Sequence, residues 1–250
     1  MTVGVYGLGR FGYFWAEQLA AHALVCGFSR DPQRPVPRGV RRVGEDELLS
    51  LPVIILCVAI SAMEEVLEKM GPRLTPGALV MDTCSVKTYP VDLMRRLLPE
   101  SVSVLGTHPM FGPDSGRNGV RGLPLIMCPA RITDTQTSQW REFFTSLGLA
   151  VSVMSPDEHD REAAFTQGVT HYIGRVLSDF GVSRSPVGTV GFNKLLEIVE
   201  QTCNDPWQLF LDLQRYNPHT REMRSRLSKS LAAVMGAIDE SLEGGAGRNP

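Results

Sequence analysis

The stretch Val3-Gly4-Val5-Tyr6-Gly7-Leu8-Gly9-Arg10-Phe11-Gly12 decides the fold class of this 250-residue chain. It places the pattern GxGxxG directly after a strand-like run and at the start of a helical pattern that extends to His22. In such a loop the first glycine allows a tight turn, the second lets a pyrophosphate approach the backbone, and the third lets the helix pack on the strand. The N-terminus of the helix then offers unpaired N–H groups to a phosphate. The stretch therefore predicts a dinucleotide site, although a tight turn without a ligand remains the alternative; its candidate contacts are Gly7, Leu8, Gly9, Arg10, Phe11 and Gly12.

Short apolar runs alternate with helical patterns through the first 154 residues. The predicted strands are 3–6, 23–28, 53–58, 79–82, 102–105, 125–128 and 150–154. Helical patterns at 11–22, 63–70, 90–98 and 135–147 separate most of them. This alternation is typical of βαβ units, and it predicts an α/β fold with a Rossmann-like, doubly wound, mostly parallel sheet.

The pattern changes after Ser155, where strand signals disappear. We predict one long helix over 156–179, a Gly/Pro/Ser loop over 181–191, and three further helices at 192–203, 205–216 and 219–242. The chain thus divides into a dinucleotide-binding domain (1–155), an all-helical C-terminal domain (156–242) and a flexible Gly-rich tail (243–250).

The composition excludes several classes of function. A net charge of −2 leaves no basic surface for nucleic acid or for a membrane, and the longest apolar run, 51–59, is too short to span a bilayer. No cationic segment precedes an apolar stretch at the N-terminus, so we expect no secretory signal. The cysteines lack any CxxC spacing, which argues against a disulfide framework and against a metal site. We expect a reduced, cytoplasmic protein without a bound metal.

The end of the second predicted strand bears on the choice between NAD and NADP. NAD sites place an acid there, whereas this strand ends in Gly27-Phe28-Ser29-Arg30, with Ser29 at the acidic position. A hydroxyl and a guanidinium bind a 2′-phosphate, so Ser29, Arg30 and Arg34 favour NADP. Asp31 is the alternative ribose acid and would favour NAD. Cys57 and Val58, at the end of the third strand, are further candidate cofactor contacts.

Two segments with chemically active side chains follow parallel strands. They are 82–87, which contains Ser85 and Lys87, and 106–116, which contains His108 and Asp114. Open α/β sheets bind ligands at the carboxyl ends of their strands. His108 lies between a strand end and a proline, and its pKa range suits proton transfer, so we predict that it is functional.

These residues resemble those of a known family. The segments GLGRFG, SVK and THPMFGPDSG are similar to the prephenate/arogenate dehydrogenases of tyrosine biosynthesis. The resemblance continues through the segments EHD (158–160), THYIGR (170–175), GFNKLL (191–196) and NDP (204–206). THYIGR and GFNKLL look more like the plant arogenate enzymes.

The resemblance implies oxidative decarboxylation of a cyclohexadienol, with hydride transfer to a nicotinamide cofactor. His108 would accept the proton of the ring hydroxyl, and Ser85 would contact that hydroxyl or the nicotinamide. Lys87 would contact the cofactor or a carboxylate, or be a plain surface charge. The family also implies a homodimer formed through the helical domain, which would carry the substrate site as well.

The helical half offers candidate substrate contacts. His171 and Arg175 are four residues apart and share one helix face, where they would meet a dicarboxylate substrate. A polar contact between helices is the alternative. Many bacterial relatives have an arginine where this chain has Glu200, so Arg175, and after it Lys194, would replace that arginine. Asp114 or Glu200 near the substrate side chain would favour arogenate, which carries an ammonium, over prephenate. Asp114 could equally be a simple turn residue.

Three further expectations complete the prediction. His159, with its neighbours Asp160 and Arg161, should brace the domain hinge rather than contact substrate. Another two-domain NADP-linked reductase is one alternative function, because it would share the same plan. A non-enzymatic NADP-sensing protein is the other, because it would need only the glycine loop.

Overall fold

A computed structural model describes residues 1–245, with side chains up to Leu242. An eight-stranded sheet dominates the first half. Its strands are β1 (Thr2–Tyr6), β2 (Leu24–Phe28), β3 (Val40–Arg42), β4 (Val53–Leu56), β5 (Leu79–Asp82), β6 (Ser103–Pro109), β7 (Pro124–Arg131) and β8 (Ala150–Val153). The strand order is β3-β2-β1-β4-β5-β6-β7-β8, and β1 to β6 are parallel. The predicted fold class is confirmed.

Helices cover both faces of the sheet. Those of the first half are α1 (Arg10–Ala20), α2 (Glu45–Leu49), α3 (Met63–Met70), α4 (Thr88–Leu97) and α5 (Asp134–Ser146). One apolar core forms under α2, α3 and α4, and a second forms under α1 and α5. β4 lies between the two cores, and all four of its residues are buried, as its continuous apolar run predicts.

β6 and β7 differ from the predicted parallel strands. β6 extends to Pro109, so His108 lies inside the strand and pairs with Ile126 of β7, rather than beyond the strand end. β7 runs antiparallel to β6, because residues 110–123 connect the two strands without a crossover helix. β7 therefore holds the His108 backbone on one side, whereas β5 pairs with β6 only as far as Leu105.

Helices form the rest of the described chain. They are α6 (Pro156–Ala163), α7 (Val169–Phe180), α8 (Val190–Cys203), α9 (Trp207–Tyr216) and α10 (Thr220–Gly245). The predicted long helix over 156–179 is continuous but contains a π-helical segment, Ala164–Gly168, between α6 and α7. Ser155 and Glu158 form a reciprocal capping box that begins α6.

The domain boundary near Ser155 stays a prediction, and the last strand ends two residues before it. Residues 243–245 of the predicted tail continue α10, and 246–250 lie outside the described residues. No helix in the described part of the chain is long and apolar enough to cross a membrane. The cytoplasmic location stays a prediction.

Candidate active site

A cleft of about 630 Å³ separates the carboxyl ends of the parallel strands from the helical half. The strand side contributes the glycine turn, the segment after β5 and the end of β6. The helical side contributes the π segment and the starts of α7 and α9. Of the sequence-predicted site residues, the structure brings to the lining Gly9, Arg10, Phe11, Gly12, Cys57, Val58, Ser85, His108, Asp114 and His171.

The glycine turn has the geometry that a dinucleotide needs. Gly7 has a φ of +103°, and a Cβ there would lie 2.5 Å from the carbonyl oxygen of Cys57. A Cβ on Gly12 would lie 1.8 Å from the carbonyl oxygen of Gly7. Gly9, in contrast, faces open space in the cleft and begins α1 without a side-chain cap. The turn therefore fits a pyrophosphate at the helix N-terminus. The side chain of Leu8 is buried in the core, so only its backbone faces a ligand.

The residues that favour NADP lie beyond the cleft lining. β2 ends at Phe28, so Ser29 is the residue that follows the strand, and Arg30 and Arg34 are exposed. Asp31 accepts a hydrogen bond from the backbone of Gln33 and lies 3.7 Å from the guanidinium of Arg34. The alternative ribose acid is therefore already engaged in its own loop.

His108 is buried in the cleft wall with only 2% of its surface exposed. Burial, and then the nearby His159, Lys87 and His171, hold its pKa well below the ordinary value for histidine. A histidine with this pKa is neutral at pH 7 and can therefore accept a proton.

His108 does not stand alone. Its Nδ1 lies 2.8 Å from Nε2 of His159, and Nδ1 of His159 lies 2.9 Å from Oδ1 of Asp160. The sequence analysis missed this pairing and treated His159 as part of a hinge. Its signal was the helical spacing of His159, Asp160 and Ala163, whose side chains turn inward on α6.

The structure corrects the expectation for Lys87. Its side chain is fully buried, and its ammonium pairs with the carboxylate of Asp82 and donates to the carbonyl of Thr107, 2.7 Å away. Asp82 also accepts the backbone N–H of Cys84 at 2.9 Å. Lys87 therefore holds the ends of β5 and β6 together and does not reach the cleft.

The π segment directs polar atoms into the cleft. The extra residue of a π turn rotates the helix that follows, and such turns are frequent at functional sites. Gln167, which the sequence analysis did not select, and His171 both line the cleft. Oε1 of Gln167 and Nδ1 of His171 are buried and have no hydrogen-bond partner within the described residues. They therefore fit a polar ligand.

Arg175 and Lys194 do not take the place of the family arginine in this chain. The guanidinium of Arg175 donates to the carbonyls of Thr202 and Asp205, at 3.0 and 2.6 Å, outside the cleft lining. Lys194 is exposed on α8, away from the lining. Glu200 is also outside it and pairs with Arg184 on the surface. Arg175 thus ties α7 to the start of α9.

The mouth of the cleft carries a charge cluster that the sequence analysis only partly found. Arg10, in the glycine turn, pairs with Asp114 at 2.5 Å and with Asp205 at 2.8 Å. Asn204 donates to the same oxygen of Asp114 at 3.1 Å. The hydrogen bond from Arg10 is the main reason that the pKa of Asp114 lies below its usual value. The carboxylate of Asp114 is therefore ionised at neutral pH.

The glycine turn and the sheet order together define an α/β protein with a dinucleotide-binding fold, whose cleft has a buried histidine in its wall. A family model for the nucleotide-binding domain of prephenate dehydrogenase matches residues 33–153, and a TYRAAT1-like C-terminal domain model matches residues 176–249. Arogenate dehydrogenase 2 of Arabidopsis thaliana is 35% identical over 246 residues, which cover 94% of this chain and 69% of the relative. The chain belongs to the prephenate/arogenate dehydrogenase family, as its motifs predict.

Two further comparisons define the extent of the likeness. Arogenate dehydrogenase 1 of Arabidopsis thaliana is also 35% identical, across 90% of this chain, but the chain spans only 37% of that relative. The crystal structure of prephenate dehydrogenase from A. aeolicus, in complex with hydroxyphenyl propionate and NAD+, has a TM-score of 0.77 and 19% identity. The superposition covers 97% of this chain and 92% of that chain, so the two proteins share a fold.

Proposed function

We propose that this chain catalyses the NADP-dependent oxidative decarboxylation of arogenate to tyrosine, with prephenate as the alternative substrate. The observation that carries the proposal is His108, a buried and neutral imidazole in the wall of a cleft that also contains the glycine turn. Family membership supports the reaction, and both Arabidopsis thaliana relatives described above are named arogenate dehydrogenases.

The site residues have separable tasks in this reaction. The cofactor, when bound, supplies the acceptor for the hydride on the carbon that bears the ring hydroxyl. His108 accepts the hydroxyl proton as the carbonyl forms, and returns it to the phenolate oxygen after the ring carboxylate has left as carbon dioxide. Ser85, which also lines the cleft, orients the hydroxyl or the nicotinamide. Gln167 and His171 offer polar contacts to the substrate.

The charges in the cleft favour arogenate over prephenate. Of the described residues in its lining, three are aspartates and Arg10 is the one lysine or arginine. Asp212 is already satisfied by the backbone N–H and hydroxyl of Ser61, whereas Asp114 and Asp205 face each other across Arg10 at the mouth. An ammonium is attracted to these two carboxylates, and a ketone in its place gains nothing from them.

The end of β2 supports NADP. Ser29 follows the strand, and the exposed guanidiniums of Arg30 and Arg34 lie in the same loop. A 2′-phosphate would gain charge-assisted hydrogen bonds there, and no carboxylate follows the strand directly.

A homodimer through the helical half is part of the proposal. Exposed apolar side chains on α7, α8 and α10 support it, among them Phe180, Val190 and Ile238. The predicted cytoplasmic location belongs to the same proposal. The two Arabidopsis thaliana relatives are named as chloroplastic enzymes, a location that applies to those proteins.

The test is absorbance at 340 nm with each of four pairs, arogenate or prephenate with NADP or NAD. We expect arogenate with NADP to give the highest kcat/KM. His108→Asn should lower kcat by about 10²- to 10⁴-fold, because the proton acceptor is lost, while NADP binding persists. Tight NADP binding without turnover of either substrate would instead support a sensor, and turnover of an unrelated carbonyl or imine would support another reductase.

A further inference from the structure

Three buried side chains from two parts of the fold form a continuous hydrogen-bonded chain. His108 comes from β6, and His159 and Asp160 come from α6. The joining distances are 2.8 Å between the two imidazoles and 2.9 Å between His159 and the carboxylate. The exposed fractions of the three residues are 2%, 2% and 0%. Water therefore does not compete for these hydrogen bonds.

The position of each proton in this series of hydrogen bonds follows from Asp160, which the backbone holds in place. Oδ1 of Asp160 accepts the backbone N–H of Lys87 at 2.6 Å, and Oδ2 accepts that of Thr88 at 2.9 Å. Burial raises the pKa of this carboxyl, but the hydrogen bonds from His159 and Thr88 outweigh it and bring the pKa below its usual value. Asp160 is therefore an anion that only accepts hydrogen bonds.

An accepting Asp160 sets the tautomer of each histidine in turn. His159 must donate from Nδ1, and because burial lowers its pKa it is neutral, so its Nε2 carries a lone pair. His108 must then donate from Nδ1 to that lone pair. The lone pair of His108 is left on Nε2, in a ring that lines the cleft.

We propose that His159 and Asp160 are positioning residues that fix His108 as the Nδ1–H tautomer and stabilise its protonated form. The inference rests on the proposed function and specifies how its base is prepared. As the O–H bond of the substrate breaks, its proton binds Nε2 of His108, and the Nδ1 proton of His108 moves toward Nε2 of His159. The Nδ1 proton of His159 stays on His159, hydrogen-bonded to the carboxylate of Asp160. Within the protein only N–H bonds and hydrogen bonds change, and the anion of Asp160 balances the added charge.

The surrounding charges show why His108 needs this support. Lys87 and, from α7, His171 face His108 and disfavour a positive charge on it. Lys87, Asp82 and Asp160 face His159. Because Asp82 is itself paired with the ammonium of Lys87, Asp160 is the anion that reaches His108 through a hydrogen-bonded partner.

Because these hydrogen bonds join β6 to α6, the state of His108 depends on contact between the sheet half and the helical half of the molecule. Asp160 accepts the first N–H groups of α4, and its own carbonyl accepts from the side chain of Asn217 at 2.8 Å. The partner of His108 is thus supplied by the helical half only when α6 lies against the start of α4.

The first measurement is the tautomer of His108 by NMR with 15N-labelled histidine, in the full chain and without substrate. His108→Asn assigns the signal among the five histidines. We expect the Nδ1–H form in the unaltered chain and in His159→Gln, whose side-chain carbonyl can accept the same proton. In His159→Leu we expect a mixture of tautomers. An Nε2–H form in the unaltered chain overturns the proposal, and this readout needs no turnover, so it is independent of the proposed reaction.

The second measurement is kinetic. His159→Leu should lower kcat about 10²-fold with the KM for substrate and the Kd for NADP within about twofold, and His159→Gln should recover much of the loss. Asp160→Asn removes the anion that stabilises protonated His108, so the acid limb of its kcat–pH profile should move to lower pH. A merely structural role would not move that limb.

Asp157→Asn is the matched control, because Asp157 pairs with His219 at 2.7 Å on the surface, also through a single His–Asp contact. It should leave kcat and its pH profile unchanged. If Asp160→Asn does not fold, the His159 variants still test the proposal, because in them Asp160 keeps its hydrogen bonds from the N–H groups at the start of α4. Equal kcat and equal pH profiles for His159→Leu and the unaltered chain would overturn the proposal.

Discussion

At the scale of the residue, the buried pair of Lys87 and Asp82 makes a prediction about stability. Both side chains are fully buried, so Lys87→Met leaves the carboxylate without its counter-ion in the interior. Removing one partner of such a pair costs about 3–5 kcal/mol of unfolding free energy. Urea denaturation measures the loss. Lys69→Met breaks an exposed pair with Glu65 and should leave the urea midpoint nearly unchanged, because water screens that pair.

The same variant separates this role from the one that the sequence suggested. If Lys87 only joins β5 to β6, Lys87→Met binds NADP with unchanged affinity under conditions where it is folded. Equal stability of the Lys87→Met and Lys69→Met proteins, or a selective loss of NADP affinity, would contradict the assignment.

The chemistry of a side chain can be predicted from the sequence, but its burial and its contacts with residues distant in the sequence cannot. His108 could be selected because glycine and proline flank it at a predicted strand end. Lys87 and Arg175 were given ligand roles because cations near such a site suit anions. Lys87 pairs with Asp82, and Arg175 donates to the carbonyls of Thr202 and Asp205. These contacts cannot be predicted from sequence spacing. The role of His159 was missed for the same reason.

At the scale of the element, the glycine turn offers two substitutions with opposite outcomes. Gly12→Ala places a Cβ 1.8 Å from the carbonyl oxygen of Gly7, so α1 must move away from β1. We expect a loss of about 3 kcal/mol in unfolding free energy. Gly9→Ala meets no atom within 4 Å and should unfold as the unaltered chain does.

Binding distinguishes the pair further. The Cβ of Gly9→Ala would occupy the space that a pyrophosphate needs, so the Kd for NADP, measured by calorimetry, should rise at least about tenfold. Gly9→Ala with normal NADP affinity would show that the cofactor does not approach this turn.

The elements themselves were largely predictable where apolar runs are long. β4 and α3 match the continuous apolar run and the helical pattern from which they were predicted. β3 and α2 were not predicted, because three and five residues are too few to show a period. The antiparallel direction of β7 was also not predicted, because an apolar run indicates a strand but not the direction in which it pairs. The π segment leaves no signal in helical spacing.

At the scale of the whole molecule, contacts between the halves build the cleft. The carboxylate of Asp212 on α9 accepts from the backbone N–H and the hydroxyl of Ser61, and Arg10 reaches Asp205. Several apolar side chains of the helical half remain exposed beside these contacts, among them Phe180, Val190 and Ile238. The polar contacts could not be predicted, because the sequence places the partners about 150 and 195 residues apart.

The exposed face of α10 leads to a prediction about assembly. Val234 and Met235 lie three and four residues after Leu231, and Ile238 lies four and three residues after them. The four side chains therefore share a face, and each is more than half exposed. In a single chain this apolar stripe would face water, which is unfavourable by about 25 cal/mol for each Å² that a partner could cover. We therefore expect a homodimer, at twice the 27.5 kDa of the chain, in light scattering coupled to size exclusion.

The double variant Val234→Glu, Ile238→Glu tests whether this face forms the interface. Two carboxylates on the stripe should make the protein monomeric, because burying them without partners costs more than the contact returns. Asp239→Lys alters an exposed neighbour on the same helix and should leave the dimer intact. A dimer that survives the double substitution would place the interface on α7 and α8 instead. A monomer in the unaltered chain at micromolar concentration would remove the dimer from the proposal, while His108 and its partners would remain complete within one chain.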